Sequence, residues 1–184
     1  MITDLPLAGL KLVEIKLFHD ERGFFTEWYQ ESRFHQWGIQ AKFVQDNCSR
    51  SKPGVIRGLH YQNNPAQGKL VGVMRGKIWD VVVDIRSQSP TFGQSYGVEL
   101  SDTNGKLLWV PPGFAHGFCA LGEEDASVMY KVDSPYTPSG EGGLRFDDPE
   151  LKIQWPKTTH DKIISAKDRI LPTFQEYRKK PVFL

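Results

Sequence analysis

The chain has 184 residues, 39% of them hydrophobic and 24% charged, with a formal net charge of +1. That length suits one domain over 1–184 and buries a core without staples. The near-neutral balance gives no argument for a broad nucleic-acid footprint, so any anionic ligand has to be met by a local basic cluster.

Glycines (17) and prolines (12) punctuate the chain at short intervals. Between them lie runs rich in Val, Ile, Phe, Tyr and Trp. In chain order the expected strands are 10–18, 41–47, 55–61, 69–75, 77–85, 94–100, 107–110, 117–121 and 127–132. Short, regularly spaced strands with turn signals predict an all-β sandwich or barrel. Arg75-Gly76-Lys77 reads as a tight hairpin, and Ser101-Asp102-Thr103-Asn104-Gly105 as a turn. Helical signal is thin. Residues 31–37 form a short helix ended by Gly38, and 165–168 another, with Ser165 as its cap. Residues 135–149 read as a Gly/Pro/Asp-rich loop, and the ends as N- and C-terminal arms.

Two cysteines, Cys48 and Cys119, supply neither a disulfide framework nor a CxxC knuckle. The opening MITDLPLAGL lacks the basic and apolar regions of a signal peptide. No stretch approaches the roughly 20 apolar residues of a membrane span. A cytoplasmic protein with no membrane or nucleic-acid partner is expected.

Two segments carry chemistry. The first is Gly54-Val55-Ile56-Arg57-Gly58-Leu59-His60-Tyr61-Gln62, continuing to Gln67-Gly68-Lys69. The second runs from Gly105 to Pro111-Pro112-Gly113-Phe114-Ala115-His116. They resemble the two motifs of the cupin superfamily, which implies a double-stranded β-helix, or jelly-roll, barrel with a few short helices. Metal-binding cupins carry His-x-His followed by a Glu in the first motif. Here those later positions are Gln62 and Gln67, and amides are poor ligands for a transition metal. A barrel without a metal is therefore expected, and His60 is left as either a histidine satisfied by hydrogen bonds inside the barrel or a group that acts on a ligand. Arg57 and Lys69 near His60 suit an anionic ligand or an anion formed in the reaction. Strand alternation points Arg57 and His60 to opposite faces, unless Gly58 marks a bulge. Tyr130 shares a face with Val128 and Val132. It is either a core tyrosine with its hydroxyl at the barrel mouth or a proton donor. Asp168, read alone, is a solvated charge.

Taken in order, several segments resemble the dTDP-4-dehydrorhamnose 3,5-epimerase family. They are Asp20-Glu21-Arg22-Gly23-Phe24-Phe25, Phe43-Val44-Gln45-Asp46-Asn47, Arg57-Gly58-Leu59-His60, Gln67-Gly68-Lys69-Leu70-Val71, Pro112-Gly113-Phe114-Ala115-His116-Gly117-Phe118, Tyr130-Lys131 and Ser165-Ala166-Lys167-Asp168-Arg169. The resemblance implies an isomerase that turns dTDP-4-dehydro-6-deoxy-D-glucose into dTDP-4-dehydro-L-rhamnose through an enolate, with no cofactor. It implies His60 as the base, Asp168 behind it, Lys69 at the enolate oxygen and Tyr130 as the acid on the other face. His116 would line the sugar site. Arg22, Glu27, Gln45, Asp46, Asn47, Arg57, Glu141 and Lys167 would hold the nucleotide, and Phe24 would stack on thymine. The family's N-terminal arm works across a homodimer interface. The alternatives are an epimerase inverting only C3 or C5, a metal-dependent cupin, and a sugar-nucleotide binding module without catalysis.

Overall fold

A computed structural model describes residues 1–184. The strands are β1 (Ile2–Asp4), β2 (Lys11–Glu14), β3 (Phe18–Asp20), β4 (Gly23–Phe25), β5 (Gln45–Ser51), β6 (Val55–Gln62), β7 (Lys69–Arg75), β8 (Lys77–Asp84), β9 (Ser95–Ser101), β10 (Lys106–Val110), β11 (Phe114–Leu121), β12 (Ala126–Val132), β13 (Glu141–Gly143) and β14 (Ile163–Ile164). The α-helices are α1 (Glu31–Gln36), α2 (Ala166–Arg169) and α3 (Phe174–Lys179), and Pro138–Gly140 form one turn of 3-10 helix. One sheet has the order β1-β2-β10-β7-β12-β5, and the other β13-β6-β11-β8-β9 with β14 alongside β6. Only β14 pairs in parallel. β3 and β4 form a separate hairpin. This is the expected all-β jelly-roll barrel.

The main core lies between the two sheets, where Val71, Leu108 and Val128 of the first meet Val82, Val98 and Phe118 of the second. Each sheet is also covered on its outer face. Phe34 of α1 and Ile39 pack on Leu70 and Leu107. Leu144, Leu151 and the α3 residues Phe174 and Tyr177 pack on Val81 and Val83. Double covering explains why β8 and β11 read as continuous apolar runs rather than alternating ones. Every position from Asp80 to Asp84 and from Phe114 to Ala120 is buried.

Several elements differ from the sequence reading. Arg75-Gly76-Lys77 does not join a hairpin pair, because β7 and β8 belong to different sheets. Gly76, at φ +73°, turns a corner between them and is held by Asp102, whose carboxylate accepts the Gly76 N–H at 2.9 Å. The run 10–18 splits into β2 and β3, and the strand expected at 41–47 begins at Gln45. Within 135–149, Glu141–Gly143 adds to the free edge of β6. α3 is an additional element, opened by a capping box between Thr173 and Glu176.

β6 settles the question of alternation. His60 faces His116 across the ladder, whereas Arg57 faces Phe118. Gly58 and Leu59 on β6 thus stand against Gly117 alone on β11, and this bulge resets the alternation. Gly58 sits inside it at φ +113°, and a Cβ there would stand 2.7 Å from Gly117 Cα and His116 O. Glycine is required on both counts.

Candidate active site

A cavity of about 640 Å³ opens between the sheets. The second sheet contributes Arg57, His60, Gln62 and His116, and the first Gln45, Asn47, Lys69 and Tyr130. Glu141, Lys167 and Asp168 close it from the segments after β12. Arg57 and His60 therefore share one pocket, as the bulge allows.

His60 Nε2 lies 2.7 Å from Asp168 Oδ1, and the second carboxylate oxygen accepts the Gly58 N–H at 3.3 Å. Asp168 is no solvated charge: its side chain is only 5% exposed. β14 runs beside the start of β6, pairing Ile163 with Val55 and Ile164 with Ile56. The chain then turns into α2, where Ser165 Oγ accepts the Asp168 N–H at 3.0 Å. That cap aims the carboxylate at His60.

Lys69 comes from the facing sheet and is buried. Burial pulls its ammonium down to about 8, against the opposing pull of Glu141, Asp133 and Asp80. None of these carboxylates hydrogen-bonds the ammonium, so the charge is available to an anion in the cavity. Tyr130 of β12 also faces the second sheet. Burial raises its phenol, Arg57 opposes the rise, and Glu141 and Cys48 add to it.

His116 Nε2 lies 2.8 and 3.0 Å from the two carboxylate oxygens of Asp80. Burial pushes the Asp80 carboxyl up, and His116 and Lys69 pull it back. Asp80 escaped the sequence reading, although an acid inside the apolar run 77–85 was a usable signal. At the rim, Glu141 Oε2 accepts from Lys167 Nζ at 2.7 Å and from the Tyr136 hydroxyl at 2.9 Å. Burial alone would raise Glu141, but these hydrogen bonds and nearby cations bring it below its ordinary value. Tyr136 is a further cavity residue that the sequence reading missed.

Four expected ligand residues lie outside this cavity. Arg22 and Phe24 sit on the exposed β3–β4 hairpin, where Arg22 pairs with Asp20. Glu27 pairs with Arg33. Asp46 alternates with Gln45 and Asn47 on β5, so its carboxylate points away and binds Lys131 at 2.8 Å. The two glutamines at metal-ligand positions are engaged by backbone groups: Gln62 with Pro65, Pro135 and Thr137, and Gln67 with Ser134. No helix is long and apolar enough to cross a membrane.

The cavity of this jelly-roll barrel thus sets a carboxylate-backed imidazole on one sheet and a buried ammonium and a phenol on the other. Residues 4–176 match the family model described as dTDP-4-dehydrorhamnose 3,5-epimerase. The chain is 47% identical over 178 residues to dTDP-4-dehydrorhamnose 3,5-epimerase of Salmonella typhimurium, covering 96% of each. It superposes with a TM-score of 0.91 on the dTDP-6-deoxy-D-glucose-3,5-epimerase of Legionella pneumophila in complex with dTDP-4-keto-L-rhamnose. That pair is 45% identical, with 95% of this chain and 93% of the other covered. A 3'-monoepimerase from Streptomyces bikiniensis in complex with dTDP-quinovose is similar at 30% identity and TM-score 0.89, covering 97% and 90%. The chain belongs to the dTDP-4-dehydrorhamnose 3,5-epimerase family.

Proposed function

We propose that this protein converts dTDP-4-dehydro-6-deoxy-D-glucose into dTDP-4-dehydro-L-rhamnose, inverting C3 and C5. The observation that carries the reading is the placement of His60 and Tyr130 on facing sheets of one cavity. Inversion beside a ketone needs a base on one face of the ring and an acid on the other. With Nε2 held by Asp168, His60 takes the α-proton on its other ring nitrogen. The C–H electrons move into a C=C bond, and the C4 carbonyl becomes an oxyanion. Asp168 stabilises the imidazolium. Lys69 stabilises the oxyanion, which carries more of the acceleration than the acid–base step alone. Tyr130 delivers a proton to the opposite face, forming the new C–H bond and completing inversion.

Gln45, Asn47, Arg57, Glu141 and Lys167 hold the nucleotide sugar along the rim, and the buried His116 lines the sugar site. Arginine supplies a planar fork to phosphate oxygens. Arg22, Phe24 and Glu27 belong to an arm that leaves their own cavity. In a cytoplasmic homodimer, the exposed hairpin reaches the partner's cavity, with Phe24 against the base. Its apolar surface supports this, since Phe18 and Phe24 are each 47% exposed and Phe25 68%.

The test is proton NMR of the dTDP-linked 4-keto-6-deoxyhexose in deuterated water with no added metal. Incorporation at both C3 and C5 is the expected result. A single deuteron identifies a mono-epimerase, the activity named for the Streptomyces relative. Tight binding with no incorporation leaves only a binding module.

A further inference from the structure

Gln62 and Gln67 occupy the positions where a metal-binding cupin places its second histidine and its glutamate. Gln62 is 3% exposed, and both N–H groups and the carbonyl oxygen of its amide are engaged. Nε2 donates to Pro65 O at 2.9 Å and Pro135 O at 3.1 Å, while Oε1 accepts the Thr137 N–H at 2.8 Å. Gln67 Nε2 donates to Ser134 O at 2.7 Å. A third glutamine acts from the facing sheet: Gln45 Oε1 accepts the Tyr136 N–H at 3.0 Å. The backbone from Ser134 to Thr137, which belongs to no strand, is thus gripped residue by residue.

That segment carries Tyr136, which lines the cavity. The Tyr136 side chain is exposed, so its own burial does little to hold it. Its hydroxyl shares Glu141 Oε2 with Lys167 Nζ. Glu141 in turn stands in register with Gln62 on β6. A phenol, a carboxylate and an ammonium therefore form a polar wall; β13 and α2 place the carboxylate and the ammonium, and the clamped segment carries the phenol.

We propose that Gln62 and Gln67 are positioning residues for the nucleotide sugar, which clamp the 134–137 segment and so hold Tyr136 against Glu141, completing the Tyr136–Glu141–Lys167 wall. The proposal rests on the functional reading above. Only an amide fits the Gln62 position, because two carbonyl oxygens and one N–H converge there. A glutamate would set a carboxylate against both carbonyls, and an imidazole cannot offer two donors beside an acceptor when neutral. An apolar replacement leaves three backbone groups without their partner.

The experiment compares wild type with Gln62→Met and Gln67→Met. For Gln62→Met, KM for the dTDP-linked 4-keto sugar rises about tenfold while kcat stays within about twofold, the signature of lost uniform binding. Calorimetry with dTDP alone shows the same weakening. Gln67→Met, which loses one hydrogen bond, gives a rise of about threefold in both readings. A folded Gln62→Met protein with wild-type KM and dTDP affinity overturns the proposal. Should that variant not fold, wild-type values in Gln67→Met overturn it instead. A wild-type protein that exchanges no deuterium into the sugar defeats the functional reading, a result separate from either variant's.

Discussion

His60 Nε2 and Asp168 Oδ1 stand 2.7 Å apart, although 108 residues separate them in the chain. The pairing depends on one parallel strand, β14, and one capped turn of helix. Asp168→Asn keeps the shape but removes the charge that stabilises an imidazolium. Deuterium exchange at C3 and C5 is expected to fall by about 10²–10⁴-fold, with dTDP affinity unchanged. His60→Ala nearly abolishes exchange and also leaves dTDP affinity largely intact. Strong exchange in His60→Ala removes this residue from the role of base.

In the proposed role of Lys69, activity is expected to depend on pH. Its ammonium, pulled down to about 8, is the form that stabilises an oxyanion. kcat/KM therefore declines as pH rises through about 8, and Lys69→Met removes that limb along with roughly 10²–10³-fold of kcat. The stability effect has the opposite sense. Between about 8 and the ordinary lysine value of 10.5, the unfolded chain binds more protons than the folded one, so this group makes stability rise with pH. Urea unfolding at pH 7.5 and 9.5, for wild type and Lys69→Met, isolates the contribution. A wild-type kcat/KM that is flat from pH 7 to 10 contradicts the assignment.

Gly58 is the hinge of the bulge that places Arg57 and His60 in one pocket. A methyl group there would press on Gly117 Cα and His116 O, both at 2.7 Å, with φ at +113°. Gly58→Ala is expected to cost about 1–3 kcal/mol of stability and to lower exchange by more than that loss of folded protein explains. Urea denaturation and single-turnover exchange on the folded fraction separate the two effects. Wild-type stability in Gly58→Ala would show that the backbone adjusts freely at this point.

Much of the barrel is legible in local pattern. The strand 69–75 coincides with β7, and Ser165 caps α2 as its residue type suggests. The hairpin reading at Gly76 failed because a glycine between two apolar runs turns a chain equally well within a sheet or from one sheet to another. Asp80 was hidden in an apolar run, and its partner His116 lies on a different strand. The strand at Glu141–Gly143 exists because β6 offers it an edge, which its own Gly-rich residues do not announce.

Within the sequence, alternation shows the β class and the resemblance of ordered motifs shows the family, because both are properties of neighbouring residues. The sequence marked His60, Lys69, Tyr130 and Asp168 through ordered motifs. Only the tertiary structure decided which of the marked residues meet. The bulge at Gly58 turned Arg57 inward, alternation on β5 turned Asp46 outward, and the β3–β4 hairpin carried Arg22 and Phe24 away from their own cavity. Such outcomes depend on register and on which sheet a strand joins, and those are set by contacts between residues far apart in the chain.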